Sequence, residues 1–91
     1  MVDCQWQLKF TKQAQKDSKK LAAAGLKLKA QQILEILKQN PFTNPPSYEK
    51  LQGNLKGAYS RRINVQHRLV YEVIESEYTV KIIRMWSHYG E

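Results

Sequence analysis

The residues able to move a proton or hold a phosphate gather in the second half of the chain. Its two histidines are His67 and His88, and imidazole exchanges protons most readily near neutral pH. His88 stands in Trp86-Ser87-His88-Tyr89. By type it is either a general acid–base group or a solvated residue close to the end of the chain. His67 stands beside Arg68 at an expected turn and reads as turn or sheet packing. Glu49 borders a basic stretch in which residues 50–68 hold Lys50, Lys56, Arg61, Arg62 and Arg68 and no acid. A carboxylate there is either a general base or half of an ion pair with Lys50 or an arginine. The planar guanidinium fork matches two phosphate oxygens, so the three arginines suit a polyanion better than lysines would. Tyr59, Tyr71, Tyr78, Trp86 and Tyr89 are interleaved with them. RNA bases stack on such rings, although rings at strand spacing also serve cross-strand packing.

Other chemistries find no support. The histidines lie more than twenty residues apart without a matching acid cluster, and Cys4 is the single cysteine. No metal site and no internal disulfide is expected. No glycine-rich phosphate loop or nucleophile elbow occurs, so no cofactor is expected.

These residues must be positioned by a short chain. Trp6, Leu8 and Phe10 alternate with Gln7 and Lys9, predicting a strand over residues 5–10. Thr11 can cap a helix over 12–24, with Gly25 as its stop. That helix has a thin apolar stripe of Ala14, Leu21 and Ala22, with Asp17 near its middle. Leu26, Ala30, Ile33, Leu34 and Leu37 give a second helix over 26–39 a core-facing stripe, ended by Asn40-Pro41. Residues 41–57 read as loop, broken by Pro41, Pro45, Pro46, Gly53 and Gly57. Strands are expected over 59–65, 68–74 and 78–86. Along the first of these, Arg61 and Ile63 point one way and Ser60, Arg62 and Asn64 the other. The short connections imply an antiparallel meander. The order β-α-α-β-β-β defines an α+β fold, a small antiparallel sheet with two N-terminal helices on one face.

Ninety-one residues make one domain, spanning 1–91, with one small core. The net charge of +7 predisposes it to polyanions such as nucleic acid, a ribosome or an acidic partner chain. No apolar run approaches a membrane span, and no apolar segment follows Asp3 as in a secretory signal. A reducing, cytoplasmic location without membrane attachment is the expectation.

The second half resembles the YoeB/Txe family of bacterial toxins, within the RelE-like group. The resemblance is carried by Glu49-x-Leu51-x-x-Asn54-Leu55-x-Gly57-x-Tyr59-Ser60-Arg61-Arg62-Ile63. It continues through His67-Arg68-Leu69-Val70-Tyr71-x-Val73 and ends on His88-Tyr89. Asn40-Pro41-Phe42 and the helix spacing extend it more loosely. Departures are Lys50 where the family commonly has proline, Ala58 where an aromatic is frequent, and Trp86-Ser87 where an arginine often precedes the histidine. Gly90 and Glu91 follow the His-Tyr pair, and Glu91 brings negative charge toward His88.

The resemblance implies a ribosome-dependent endoribonuclease that cuts mRNA in the A site of the 70S ribosome. A cognate YefM-like antitoxin would hold it inactive, and a homodimer is a further possibility. By position, Glu49 is the expected general base, His88 the general acid and Arg68 the stabiliser of phosphate charge. Tyr89 orients the substrate or His88, and Arg62 takes a flanking phosphate. Lys50 and Lys56 fall in the RNA-binding group, as does Arg61, expected to be either structural or a ribosomal RNA contact. The alternatives are a ParE-like toxin without nuclease activity and a catalytically silent module binding RNA or antitoxin. Glu49, Arg68 and His88 together favour the nuclease, because a pure binder has no need of an acid–base pair.

Overall fold

The computed structural model describes residues 5–43, 48–51, 57–64 and 67–86. Two helices and five strands follow one another as β1 (Gln7–Phe10), α1 (Lys12–Ala23), α2 (Lys27–Gln39), β2 (Glu49–Lys50), β3 (Ala58–Arg62), β4 (Arg68–Ile74) and β5 (Thr79–Arg84). The sheet order is β1-β5-β4-β3-β2.

Local chemistry accounts for both ends of α1. The Thr11 hydroxyl accepts the Ala14 amide at 3.0 Å, satisfying one of the orphan donors of the first turn. Gly25 adopts φ +78°, which a side chain would resist. The amide of Leu26 then reaches back to the Leu21 carbonyl, and that of Gly25 to Ala22. This paired closure is a Schellman stop, and it turns the chain directly into α2. At the end of α2, the Asn40 side chain accepts the Phe42 amide at 2.9 Å and bends the chain ahead of the loop.

Sheet pairing confirms the α+β class and adds two features. β3, β4 and β5 form the expected antiparallel meander. β1, however, pairs parallel to β5, with Leu8 opposite Val80 and Phe10 opposite Ile82. The sheet is therefore mixed. A parallel partner needs a long crossover, and the helices and the other strands supply it. The second addition is β2, two residues inside the stretch expected to be loop, antiparallel to β3 with Glu49 opposite Ser60 and Lys50 opposite Tyr59.

Alternation sorts the strands into two faces. Leu69, Tyr71, Val80 and Ile82 share the face covered by the helices. They form one core cluster with Ala14, Leu21, Ala30, Ile33 and Leu37. Each of these is less than a tenth exposed, so a methylene lost from any of them leaves a cavity. Glu49, Ser60, Arg62, Arg68 and Val70 share the opposite face.

β5 carries an irregularity where it faces the Val70–Tyr71 step. Tyr71 is paired with Ile82 and Val70 with Arg84, leaving Ile83 as an extra residue. Such a bulge bends a strand and re-aims the residues beyond it. The freed Ile83 carbonyl accepts the Thr11 hydroxyl at 2.8 Å. One side chain thus caps α1 and anchors the bulge. Among the described residues no helix is long and apolar enough to cross a membrane.

Candidate active site

The charged face of the sheet is built by register. Arg62 at the end of β3 lies directly opposite Arg68 at the start of β4. Like charges at opposed positions disfavour strand pairing unless something lies between or beside them. Part of that relief comes from Glu49. Its Oε1 accepts a hydrogen bond from an Arg68 terminal nitrogen at 3.0 Å. The same nitrogen lies 3.4 Å from the Ser60 hydroxyl. Ser60 stands between the strands that carry Glu49 and Arg68, and orients the guanidinium from below. Arg68 is one-fifth exposed at its side chain and Glu49 two-thirds exposed. An ion pair this wet adds at most about 1 kcal/mol to stability. Its value lies in placing an ionised carboxylate beside a cation that still has donors to offer.

The face is thus set to receive an anion. Arg62 is exposed, and two guanidinium forks side by side match the oxygens of a phosphate diester. A carboxylate at one flank can take a proton from a nearby hydroxyl. Among the described residues no group of three or more His, Cys, Asp and Glu converges to hold a metal ion.

Arg61 turns the other way. Its side chain is 1% exposed. One terminal nitrogen donates to the carbonyls of Pro41 at 3.0 Å and Thr43 at 2.9 Å, and Nε donates to the Tyr71 hydroxyl at 3.0 Å. The guanidinium also lies 4.9 Å from the centre of the Tyr48 ring. Arg61 is therefore enclosed in the fold. It ties the end of α2 to the sheet and packs the residue that precedes Glu49. Burial pushes the Tyr71 phenol above its ordinary range, and the neighbouring Arg61 only partly opposes this. Lys50 is exposed but faces the side of Tyr59, opposite to Glu49. It does not join the cluster. Lys56, His88 and Tyr89 lie outside the described residues.

Three contacts hold the segment that leads to His88. Thr11 grips Ile83 at the bulge. The Asp17 carboxylate accepts the Met85 amide at 3.0 Å and the Gln13 side-chain amide at 2.8 Å. Asp17 is fully buried, and Arg84 Nε lies 4.0 Å from it. Trp86 stacks on His67 with ring centroids 3.8 Å apart. The packing role expected of His67 is what it performs, since it is 7% exposed. Sequence reasoning assigns Asp17 and Ser60 no role at the site. A signal for Asp17 is present: it sits three residues after Ala14 and four before Leu21, on the apolar stripe. An acid at such a position must find a donor inside.

Proteins of known structure share this fold. The YoeB/ParE toxin from Agrobacterium tumefaciens superposes with a TM-score of 0.82 at 29% identity, covering 91% of this chain and 99% of that one. A YoeB chain of the YoeB–YefM complex from Staphylococcus aureus gives 0.77 at 34% identity, covering 92% and 98%. YafQ from Escherichia coli has the same fold at 19% identity. The fold is thus that of the small RelE-like toxins. Residues 10–89 match the family of YoeB-like toxins of bacterial type II toxin–antitoxin systems, and the chain belongs to that family.

Relatives by sequence agree. Toxin YoeB of Synechocystis sp. is 37% identical over 57 residues, covering 63% of this chain. Toxin RelK of Mycobacterium tuberculosis is 43% identical over 48 residues, covering 53% of this chain. The matched stretch spans 64% of the first of these relatives and 56% of the second.

Proposed function

We propose that this protein is the toxin of a toxin–antitoxin pair and a ribosome-dependent endoribonuclease that cuts mRNA in the ribosomal A site. The observation that carries the reading is the opposition of Arg62 and Arg68 with Glu49 held at 3.0 Å from the latter. RNA brings its own nucleophile. Glu49 takes the proton of the 2′-hydroxyl, whose oxygen attacks the adjacent phosphorus. Arg68 and Arg62 bind the non-bridging oxygens, where charge accumulates at the transition state. The bond to the 5′-oxygen breaks, and His88 supplies the proton that this oxygen needs. A cyclic 2′,3′-phosphate remains. Tyr89 orients His88 or the base next to the cut, and Lys56 adds phosphate attraction.

The chain enters the stretch containing His88 from Trp86, which is stacked on the residue preceding Arg68. The partners of this reading are the ribosome with its mRNA and an antitoxin of the YefM kind, and the place of action is the cytoplasm. YoeB from Staphylococcus aureus has been solved both with YefM and as a dimer, which supports an antitoxin partner and a homodimer here.

The test is a reconstituted translation reaction with a defined mRNA, with 5′ ends mapped by primer extension. Wild type should cut at the A-site codon only when ribosomes are present. Glu49→Gln and His88→Ala should each slow cutting about 10²–10⁴-fold, the usual worth of one acid–base group. Intact mRNA with wild-type protein overturns the proposal and favours a ParE-like target or a silent binding module.

A further inference from the structure

A third arginine joins the face that carries Arg62 and Arg68, and the bulge in β5 puts it there. Arg84, the last residue of β5, is paired with Val70. Directly opposed residues point to the same side of a sheet, so Arg84 shares the side of Val70, Arg68 and Arg62. Without the extra residue, Ile83 would oppose Val70 and Arg84 would oppose Leu69 on the core side. A slip of one residue moves a side chain to the other face, and the bulge makes that slip at one point only. Val70 is two residues from Arg68, about 7 Å along the strand, and neighbouring strands lie about 4.8 Å apart. The backbones of Arg84 and Arg68 are thus about 8 Å apart, close enough for two long side chains to flank one ligand. Arg62, Arg68 and Arg84 stand on three consecutive strands, β3, β4 and β5, and run obliquely across the open face.

The guanidinium is steered but not consumed. β1 ends at Phe10, opposite Ile82. Beyond that point α1 takes over this edge of β5, with Thr11 on the Ile83 carbonyl and Asp17 on the Met85 amide. Arg84 reaches across the edge toward Asp17. Its Nε is buried and lies 4.0 Å from the carboxylate, while the side chain as a whole is 40% exposed. Charge-assisted hydrogen bonds at full strength run at about 2.7–2.9 Å, so this contact sets the direction of the fork without saturating it. Among the described residues no hydrogen bond engages the terminal nitrogens. The acids on the same face are placed elsewhere: Glu49 is on Arg68, and Glu72 is opposite Lys81. Three guanidinium groups on one face repel each other until an anion settles among them.

We propose that Arg84 is a third phosphate-binding arginine, placed by the bulge and steered by Asp17, which holds the phosphate next to the one between Arg62 and Arg68 in a bound RNA strand. The assignment rests on the reading of this face as an RNA surface, and it does not require the strand to be cut. The strand then crosses β3, β4 and β5 instead of running along them. Backbone contacts of this kind carry no sequence information but fix register. With two neighbouring phosphates held at once, the strand cannot slide, and a single 2′-hydroxyl is presented to Glu49.

The experiment titrates the full chain with a short 2′-O-methyl oligouridylate, which lacks the nucleophile and stays intact. Amide and arginine Nε–H signals are followed by NMR across a salt series. The Nε–H signals of Arg62, Arg68 and Arg84 should shift together. Arg84→Gln should weaken binding about tenfold or more, the worth of one charge-assisted contact. The slope of log K against log salt should fall by about 0.7, one phosphate contact to a single strand. Lys16→Gln makes the same charge change at an exposed position of α1 and should alter affinity less than about twofold. The spectra report whether each variant keeps its fold. Should Arg84→Gln lose it, Arg84→Lys retains a charge beside Asp17 but no fork, and should still bind more weakly than wild type. The assignment is overturned if the wild type fails to bind, if the Arg84 signal stays still while those of Arg62 and Arg68 move, or if Lys16→Gln weakens binding as much as Arg84→Gln. Cleavage enters none of these readouts, so a chain that binds RNA without cutting it leaves the assignment standing, and a chain that cuts at the wild-type rate with Arg84 silent overturns the assignment alone.

Discussion

Two arginines adjacent in sequence should behave oppositely when removed. Arg61→Ala deletes a guanidinium that serves Pro41, Thr43 and Tyr71 at 2.9–3.0 Å inside the molecule. Hydrogen bonds from a charged donor are worth about 1.5–3 kcal/mol each. Three of them would suggest up to about 9 kcal/mol, but removing a buried charge also recovers its desolvation cost. Each buried acceptor left without its donor costs about 1–3 kcal/mol, so the loss is about 3 kcal/mol or more. A chain of this length is stabilised by roughly 5–14 kcal/mol in total. Arg61→Ala should therefore lose about a fifth or more of it and lower the melting temperature by at least about 12 °C. Arg62→Ala removes an exposed side chain and should stay within about 0.5 kcal/mol of wild type. Its effect appears in RNA binding, where the slope of log K against log salt should fall by about 0.7 for one lost contact to single-stranded phosphate. Urea unfolding followed by circular dichroism measures the first quantity, and anisotropy titrations across a salt series the second. Arg61→Lys adds a control, because a point charge on a flexible stem cannot serve three acceptors at once. The reasoning fails if Arg61→Ala costs less than about 1 kcal/mol, or if Arg62→Ala is the more destabilising of the two.

Two further outcomes rest on buried groups. Asp17→Ala strands the Met85 amide and should cost about 2–3 kcal/mol in urea unfolding. If that contact aims the strand end toward the site, it should also reduce cleavage more than a distant substitution of equal stability cost. Tyr71 ionises above the ordinary phenol value of 10.0, because burial disfavours its phenolate. The folded state then holds a proton that the unfolded chain releases, so this contribution is complete below pH 10 and stability falls as pH rises through that value. Melts from about pH 8 to about pH 11 should show the fall, and Tyr71→Phe should flatten it, with absorbance near 295 nm marking the ionisation. An equal fall in both proteins excludes Tyr71 as its cause.

Much of this molecule is written locally in its residues. Thr11 and Gly25 mark the limits of α1 because a cap and a left-handed stop act within a few residues. The stripe of α2 and the alternation of β3 and β4 reflect periods of 3.6 and 2 that burial enforces. The candidate chemistry was legible in the same way: Glu49, Arg62 and Arg68 are side-chain types whose uses are few, and alternation already separated Arg61 from Arg62. What local pattern cannot encode is which remote segment a strand joins. β1 has the same alternation whether it pairs parallel or antiparallel, and β2 with two residues has no period at all. The contact between Glu49 and Arg68, nineteen positions apart in sequence, depends on that short pairing. Which face of β3 is buried was settled by the helices, whose arrival turned Arg61 into an internal strut and left Arg62 to solvent. Asp17 makes the same point from the helix side. Its acceptor role requires the Met85 amide, 68 positions away, and only the folding of α1 across β5 brings the two together.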